Sequence, residues 1–498
     1  MSEPIRKIVV AGSGAVAWIT AAALRRALAR RELDVCVVDT GADGAPAGWW
    51  TLPSQRGMHA LLGINESHFI QETGATFRLG TEHRGWQGDG SRFLHAHGDL
   101  GTELGGTPFY RYLQAESVDG RPSAPEEWSL AGMAARLGRF ARPMGKDLTA
   151  SFTYGYHLDD ARYAAYLRTL AERLGVRVGA APWADTQLAE GGRIARLRLA
   201  DGSTIEADLF IDCSGATAKL IGAIAPDRED WSAWLPCDRM LSGFAPAQPD
   251  LAALTQTVAG EAGWSWRAPL AARSLVGFVY SSRFLGDEQA LAAFASSAPE
   301  LDGDPGRTRF SAGRRQQFWS GNCLALGAAA MELEPLAGAA LHFAQVGLAT
   351  LVELFPRSRD SRVESVEYNR VMREQADALR DFTLAHYLAG RARPGEMWAA
   401  IRGVEPPARL AHKLALYSSN GRLVLQDHET FEETDWAWLL LGSGCVPAAV
   451  EAQVRGQLAN ISPRDLQALH TRIQQLAASM PTHAEFVRHQ SAPAPAAR

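Results

Sequence analysis

Cysteine is scarce in this chain, and its spacing offers no pairs. Cys36, Cys213, Cys237, Cys323 and Cys445 are spread along 498 residues with no CxxC. That excludes a zinc framework and fits a reducing compartment. An excess of one charge is also missing. The formal net charge is −5, from 50 basic and 55 acidic residues, so no overall basic balance exists to hold a nucleic-acid backbone. No apolar run is long enough to span a bilayer. Residues 1–6 are charged and lead straight into a short strand, without the apolar core of a signal peptide. A cytoplasmic protein with neither nucleic acid nor membrane as partner is expected. His68, His83, His342 and His386 lack metal-ligand spacing and read as hydrogen-bonded structural histidines, so no metal site is expected. Gly12-Ser13-Gly14 is not a G-x-S-x-G nucleophile elbow. There is no internal repeat and no clear linker.

What is present belongs to a folded protein: 46% hydrophobic and 21% charged residues. The length exceeds an ordinary single domain, so one large or two interleaved domains are expected around a continuous core. The β-branched run 7–11 reads as a buried strand, 17–29 as a helix and 33–38 as a second strand ending at Asp39. Residues 41–53, rich in Gly, Ala, Pro and Trp, read as an irregular strap. Helices are expected over 160–174, 336–354, 361–388 and 461–479. Residues 193–199 and 204–211 read as a hairpin turned at Asp201-Gly202, and 275–281 as a strand. The Arg314-Arg315 pair is expected on a solvated strand face. The tail 489–498 has the composition of a disordered end.

Gly12-Ser13-Gly14-Ala15-Val16-Ala17 fits G-x-G-x-x-G/A between a strand and a helix. Gly12 permits the tight turn, Gly14 lets the backbone approach a pyrophosphate, and the small Ala17 lets helix and strand pack closely. The helix N-terminus then favours the phosphate charge. Asp39 stands where a carboxylate binds a ribose hydroxyl. Two further strand-to-turn elements follow, Asp208 to Gly215 and Asn322 to Gly327. Three such separated elements are usual in two-domain flavoproteins and unusual in simple NAD dehydrogenases, which favours FAD.

Trp264-Ser265-Trp266-Arg267-Ala268-Pro269 resembles the WxWxIP box of the flavin-dependent tryptophan halogenases, with Ala268 in place of isoleucine. Alternation along a strand puts both indoles on one sheet face, so the pair also reads as core. Collinear matches extend the resemblance: Leu62-Gly63-Ile64, Ala75-Thr76-Phe77, Gly277-Phe278-Val279-Tyr280, Leu333-Glu334-Pro335-Leu336, Asp381-Phe382 with His386-Tyr387, and Met480-Pro481-Thr482-His483.

The resemblance implies an α/β, Rossmann-like FAD-binding fold of the monooxygenase/halogenase type with an added helical substrate region. Residues 1–400 would form a discontinuous FAD module with interleaved substrate segments, 401–488 a C-terminal helical region, and 489–498 the tail. The expected cofactor-binding residues are Gly12, Gly14, Ala17, Asp39, Gly215, Gly327, Pro335 and Gly338. Trp49, Trp50, Phe109, Tyr110, Trp264 and Trp266 are the expected substrate-side or tunnel residues, although core packing explains Phe109 and Tyr110 equally well. Such enzymes take reduced FAD from a separate flavin reductase, react it with oxygen, oxidise a halide, and pass the oxidant along a tunnel to a lysine. The lysine, assisted by a glutamate, transfers halogen to a small aromatic substrate. A homodimer is a family-level expectation.

Several positions depart from that pattern. In a segment like ATFKLG this chain reads Ala75-Thr76-Phe77-Arg78-Leu79-Gly80. A guanidinium is delocalised, stays charged and is a poor nucleophile, although Arg78 can still hydrogen-bond an oxidant or hold an anion. In a segment like EPLEST it reads Glu334-Pro335-Leu336-Ala337-Gly338-Ala339. Ala337 removes the carboxylate and Gly338 the hydroxyl near the halide, while backbone N–H groups there can still form an anion nest. Glu332 and Glu334 read as solvated strand-end acids. Gly48-Trp49-Trp50-Thr51-Leu52-Pro53 replaces GEATIP, so two indoles close over the flavin, fill the tunnel or line a larger pocket. Gly442-Ser443-Gly444 replaces GQG.

The leading expectation is an FAD-dependent oxidoreductase of the halogenase lineage whose halogen-transfer step is altered or lost. The alternatives are a catalytically degenerate FAD- or ligand-binding partner protein, and a halogenase using non-standard residues.

Overall fold

The computed structural model describes residues 3–41, 48–143, 152–359 and 361–491. Its first layer is a six-stranded sheet in the order Trp319–Ser320, Cys323–Ala325, Leu209–Asp212, Lys7–Ala11, Asp34–Val38, Arg177–Val178. All pairs are parallel except the Trp319–Ser320 edge. Lys7–Ala11 is buried from Ile8 onward, as parallel strands covered on both faces require. The helices Ala15–Ala27 and Asp160–Arg173 pack together beside it.

The second sheet has seven strands: Asp302–Arg309, Arg239–Pro246, Arg273–Tyr280, Gly263–Pro269, Leu254–Ala259, Gly80–Arg84 and Arg92–Ala96. It is antiparallel except where Leu254–Ala259 runs parallel to Gly80–Arg84. The tryptophan box is a central strand of this sheet. Trp266 lies opposite Gly277, and a side chain at 277 would collide with its indole.

A small sheet joins the two large ones. Gly155–Asp159 pairs on one side with Gly48–Trp50 and on the other with Thr76–Arg78. His157 is opposite both Trp50 and Thr76. One strand therefore brings the substituted strap and the substituted lysine position into register. C-terminal helices complete the shell: Glu433–Gly442 packs on Arg92–Ala96, Pro463–Ser479 on Leu130–Arg136, and His483–Ser491 on Glu66–Thr73.

Several expectations change here. The strap expected to be irregular contains the strand Gly48–Trp50; residues 42–47 lie outside the described residues. The hairpin Ile194–Leu199 with Thr204–Ile205 forms, but Leu209–Asp212 leaves it for the parallel sheet. Its apolar run is continuous because both faces are covered. The helix expected from 336 starts at Ala340, after the short turn Pro335–Ala337. Gly338 sits between them at φ +67°, a left-handed conformation that interrupts a helix. The last helix runs to Ser491, three residues into the expected tail, and residues 492–498 lie outside the described residues.

Arg314 and Arg315 are buried rather than solvated. Arg314 pairs with Glu229 and Asp377, and Arg315 donates to the carbonyls of Ala225, Pro226 and Ala329. Their strand is short and covered, a context that charge alone did not show.

Candidate functional site

The glycine loop leaves the first strand at the C-terminal edge of the parallel sheet. A Cβ on Gly12 would lie 2.6 Å from the Cys213 carbonyl oxygen and 2.9 Å from the Ala17 Cβ. The loop is therefore locked against the third strand and the first helix. Gly14 precedes that helix in an extended conformation, with no side chain capping the first turn. The helix start favours negative charge, and the Asp160 carboxylate already lies against the Ala15 amide. Asp39, exposed at the end of the second strand, accepts from the Ser13 hydroxyl and from the Gly41 amide at 2.8 Å. The cradle is shaped for close approach of a charged ligand, and its acid sits beside the loop.

Gly215, Gly327, Pro335 and Gly338, far apart in sequence, line one cavity of about 290 Å³ together with Trp49, Trp50, Trp266, Glu334 and Ala337. Gly215 and Gly327 have φ of +73° and +63°, conformations that favour glycine. The Trp49 indole N–H donates to Asp160 at 2.7 Å, which ties the strap to a helix start. Trp50 and Trp266 meet at 4.8 Å between ring centres. Neither of their indole nitrogens has a partner among the described residues. A buried N–H without an acceptor costs about 1–3 kcal/mol, so the cavity wall holds two unsatisfied donors. Glu334 Oε1 is unpartnered as well.

The Gly338 position explains how Trp50 fits. A Cβ there would lie 2.5 Å from Trp50 Cδ1 and 2.7 Å from its carbonyl oxygen. Trp50 thus occupies the volume that any side chain at 338 would need, so the two departures form one packing unit.

Arg78 lies on the other side of this partition. It is 2% exposed, and its guanidinium donates to Thr255 Oγ1 at 3.0 Å, the Thr51 carbonyl at 3.0 Å, Thr81 Oγ1 at 2.6 Å, and His97 Nε2. It has no carboxylate partner among the described residues. Arg78 is thus neither solvated nor salt-bridged among the described residues. Burial lowers its pKa to about 9, which leaves it charged at neutral pH. To accept from Arg78, His97 must keep Nε2 unprotonated, and burial with the adjacent guanidinium pushes its pKa well down. Burial also lowers His83, whose pKa lies well below the usual range, and His386, at about 3.

Arg78, Thr81, His83, His95, His97, His386, Leu52 and Ala337 enclose a second cavity of only about 10 Å³, room for roughly one water. Ala337 borders both cavities, whereas Trp50 faces one and Leu52 the other.

Other expected residues lie elsewhere. Trp264 is fully buried and donates to Glu334 Oε2 at 2.8 Å. Phe109 packs on Trp128, and the Tyr110 hydroxyl donates to Glu433 at 2.8 Å; neither borders these two cavities. No group of side chains able to hold a metal ion occurs among the described residues. No helix there is long and apolar enough to cross a membrane. The acids at 332 and 334 are not solvated. Glu332 pairs with Arg228 at 3.0 Å, and Glu334 is buried.

A family model for tryptophan halogenase matches residues 7–457. The chain belongs to the tryptophan halogenase family. It is a divergent member. The tryptophan 7-halogenase RebH of Lentzea aerocolonigenes is 27% identical over 532 residues, covering 98% of this chain and 99% of that protein. Among solved structures, a flavin-dependent halogenase from Xanthomonas campestris superposes with a TM-score of 0.92 at 33% identity, covering 99% of this chain and 100% of that one. A flavin-dependent halogenase from Brevundimonas sp. BAL3 superposes at 0.91 with 32% identity, over 98% and 99%. The fold is therefore the α/β fold of flavin-dependent halogenases, present over nearly its whole length.

Sequence reasoning did not find the partners of Arg78. Thr81 and Thr255 reach it from two strands of the large sheet and His97 from just beyond a third, and Thr255 is 177 residues away. No local pattern marks such a nest.

Proposed function

We propose that this protein is an FAD-dependent oxidoreductase that uses reduced FAD, delivered by a separate flavin reductase, and oxygen to modify a small aromatic substrate without an amine relay for halogen. The observation that carries this reading is the immobilised guanidinium of Arg78, held by four side-chain or backbone acceptors in place of a free amine. The glycine cradle and Asp39 fit the dinucleotide part of FAD. Gly215, Gly327, Pro335 and Gly338, with the two unpartnered indole donors, fit its ring. When bound, reduced FAD supplies the electrons that activate oxygen. The protein's residues then position the reactants. Trp50 and Trp266 wall the ring cavity. Ala337 offers no carboxylate between the cavities, and Arg78 provides fixed positive charge with no lone pair suited to carrying halogen.

The reaction is tested with purified protein, FAD, a flavin reductase, NADH, oxygen and bromide, using indole, phenol and pyrrole substrates read by mass spectrometry. Products carrying added oxygen and no bromine are expected. Bromination by the unmodified chain would overturn the reading. The double change Arg78→Lys with Ala337→Glu restores a buried amine, which burial shifts toward the neutral nucleophilic form, beside a carboxylate. It is expected to produce brominated product at least about 10-fold above the unmodified chain, a barrier difference of about 1.4 kcal/mol. Bromination no higher than that of the unmodified chain would show that these two positions do not control transfer.

The water-sized Arg78 cavity favours a second reading, an FAD-binding partner protein without turnover. That reading predicts flavin binding, only peroxide with every substrate, and a stoichiometric complex with another protein.

A further inference from the structure

Glu334 combines three features that the halogen-transfer scheme does not use. It is 3% exposed, it borders the 290 Å³ cavity, and only one of its oxygens is engaged. Oε2 accepts from the Trp264 indole N–H at 2.8 Å and from the Tyr387 hydroxyl at 2.7 Å. Two donors occupy the lone pairs of that oxygen. Oε1 has no partner. A proton on this carboxyl therefore resides on Oε1, a fully buried atom of a residue that borders the cavity.

The surroundings favour that proton. No cation pairs with Glu334 among the described residues. The titratable groups against it are Cys237, from the loop before the strand Arg239–Pro246, and Tyr387, from the helix Val363–Leu388. Burial keeps both uncharged, with pKa values pushed well up. Trp264 contributes only an N–H. Arg309 and Glu332 border the same cavity, and Glu332 is neutralised by Arg228. Burial pushes Glu334 up to about 7 against the opposing effect of its Tyr387 and Trp264 hydrogen bonds and of the neighbouring Cys237 thiol. An ionised oxygen left unpartnered in this setting would cost several kcal/mol, whereas a neutral acid needs only an acceptor.

We infer that Glu334 presents a neutral carboxyl O–H, on Oε1, to the ligand of this cavity, a ring bearing a carbonyl or imine acceptor. The ligand assignment rests on the flavin reading; the protonation of the acid does not. Trp264 thereby has a specific task. With Tyr387 it orients the acid so that the proton faces the ligand, and both are positioning residues. The arrangement matches the general case of a carboxylic acid kept neutral by an apolar site so that it can donate.

The test uses the full chain with oxidised FAD as the probe. Infrared difference spectra of ligand-free protein near neutral pH, unmodified minus Glu334→Gln, are expected to show the carbonyl stretch of a protonated acid. A carboxylate signal alone at about pH 6 overturns the inference. FAD dissociation constants, read by flavin fluorescence, are expected to rise about tenfold per pH unit above about pH 7, because the proton must be regained on binding. Glutamine turns its oxygen to Trp264 and Tyr387 and its amide N–H to the cavity. Glu334→Gln is therefore expected to bind within about threefold of the unmodified chain at about pH 6, with the rise above neutrality removed. Tyr387→Phe removes a hydrogen bond that favours the ionised form, so its profile is expected to shift to higher pH by about one unit. Identical pH profiles for the unmodified chain and Glu334→Gln overturn the inference. If the acid band is present but FAD binds neither protein, the flavin reading fails and the neutral acid stands.

Discussion

Gly12→Val is expected to weaken FAD binding more than about 100-fold, a loss of about 2.7 kcal/mol. Even the first carbon of the new side chain would sit 2.6 Å from the Cys213 carbonyl oxygen and 2.9 Å from the Ala17 Cβ. The carbonyl is backbone beside the parallel strands and cannot rotate away. The amide of Cys213 also donates to the Ala11 carbonyl at 2.8 Å, which fixes the turn from the other direction. The glycine loop must therefore move, taking with it the amides at the start of the helix Ala15–Ala27. Overpacking of this kind also costs about 1–3 kcal/mol of stability. Affinity is read by quenching of flavin fluorescence, with circular dichroism confirming that the variant is folded. A folded valine variant that binds FAD within about threefold of the unmodified chain would refute the assignment of this loop.

The second large effect concerns the pair Gly338 and Trp50. Gly338→Ser, which restores the hydroxyl expected from the family pattern, should destabilise the protein by about 2–4 kcal/mol. Roughly 1–2 kcal/mol comes from placing a side chain at a left-handed backbone position, and the rest from collision with the Trp50 indole. Trp50→Ala alone should cost about 3–5 kcal/mol by leaving a large void. In the double variant the serine enters space vacated by the indole, so its loss should fall short of the sum by at least about 1 kcal/mol. Backbone strain and the nearby Trp50 carbonyl keep the rescue partial. Urea unfolding of all four proteins measures the coupling. Strict additivity would show that the two positions do not share volume. The coupling bears on function because Trp50 stands at the partition between the ring cavity and Arg78. Reversing only one departure from the family pattern leaves the partition in place.

Much of the architecture was legible in local patterns. The strand Lys7–Ala11, the glycine loop and the strand Asp34–Val38 announce themselves because a buried parallel strand is a continuous apolar run and the turn after it needs small residues. The helices Asp160–Arg173 and Pro463–Ser479 begin where Asp159 and Ser462 cap them. Leu209–Asp212 was misplaced into a hairpin because a short apolar strand does not reveal its partner. Glu334 was read as solvated because a carboxylate near a strand end usually is. Its burial depends on Trp264 and Tyr387, which lie 70 and 53 residues away.

By itself, the sequence determined the lineage, the glycine cradle, and the identities of Arg78, Ala337, Gly338 and Trp50. These are properties of residues in order, and chemistry limits what each can do: a guanidinium is not an amine, and alanine carries no acid. Only the tertiary structure decided that Arg78 is held without a carboxylate partner among the described residues, that Trp50 fills the space over Gly338, and that Glu334 keeps one buried oxygen without a partner among those residues. Each of these depends on strands distant in sequence meeting in a water-poor interior. There, burial and the count of hydrogen-bond partners set charge state and orientation, and neither can be read from a residue's neighbours in the chain.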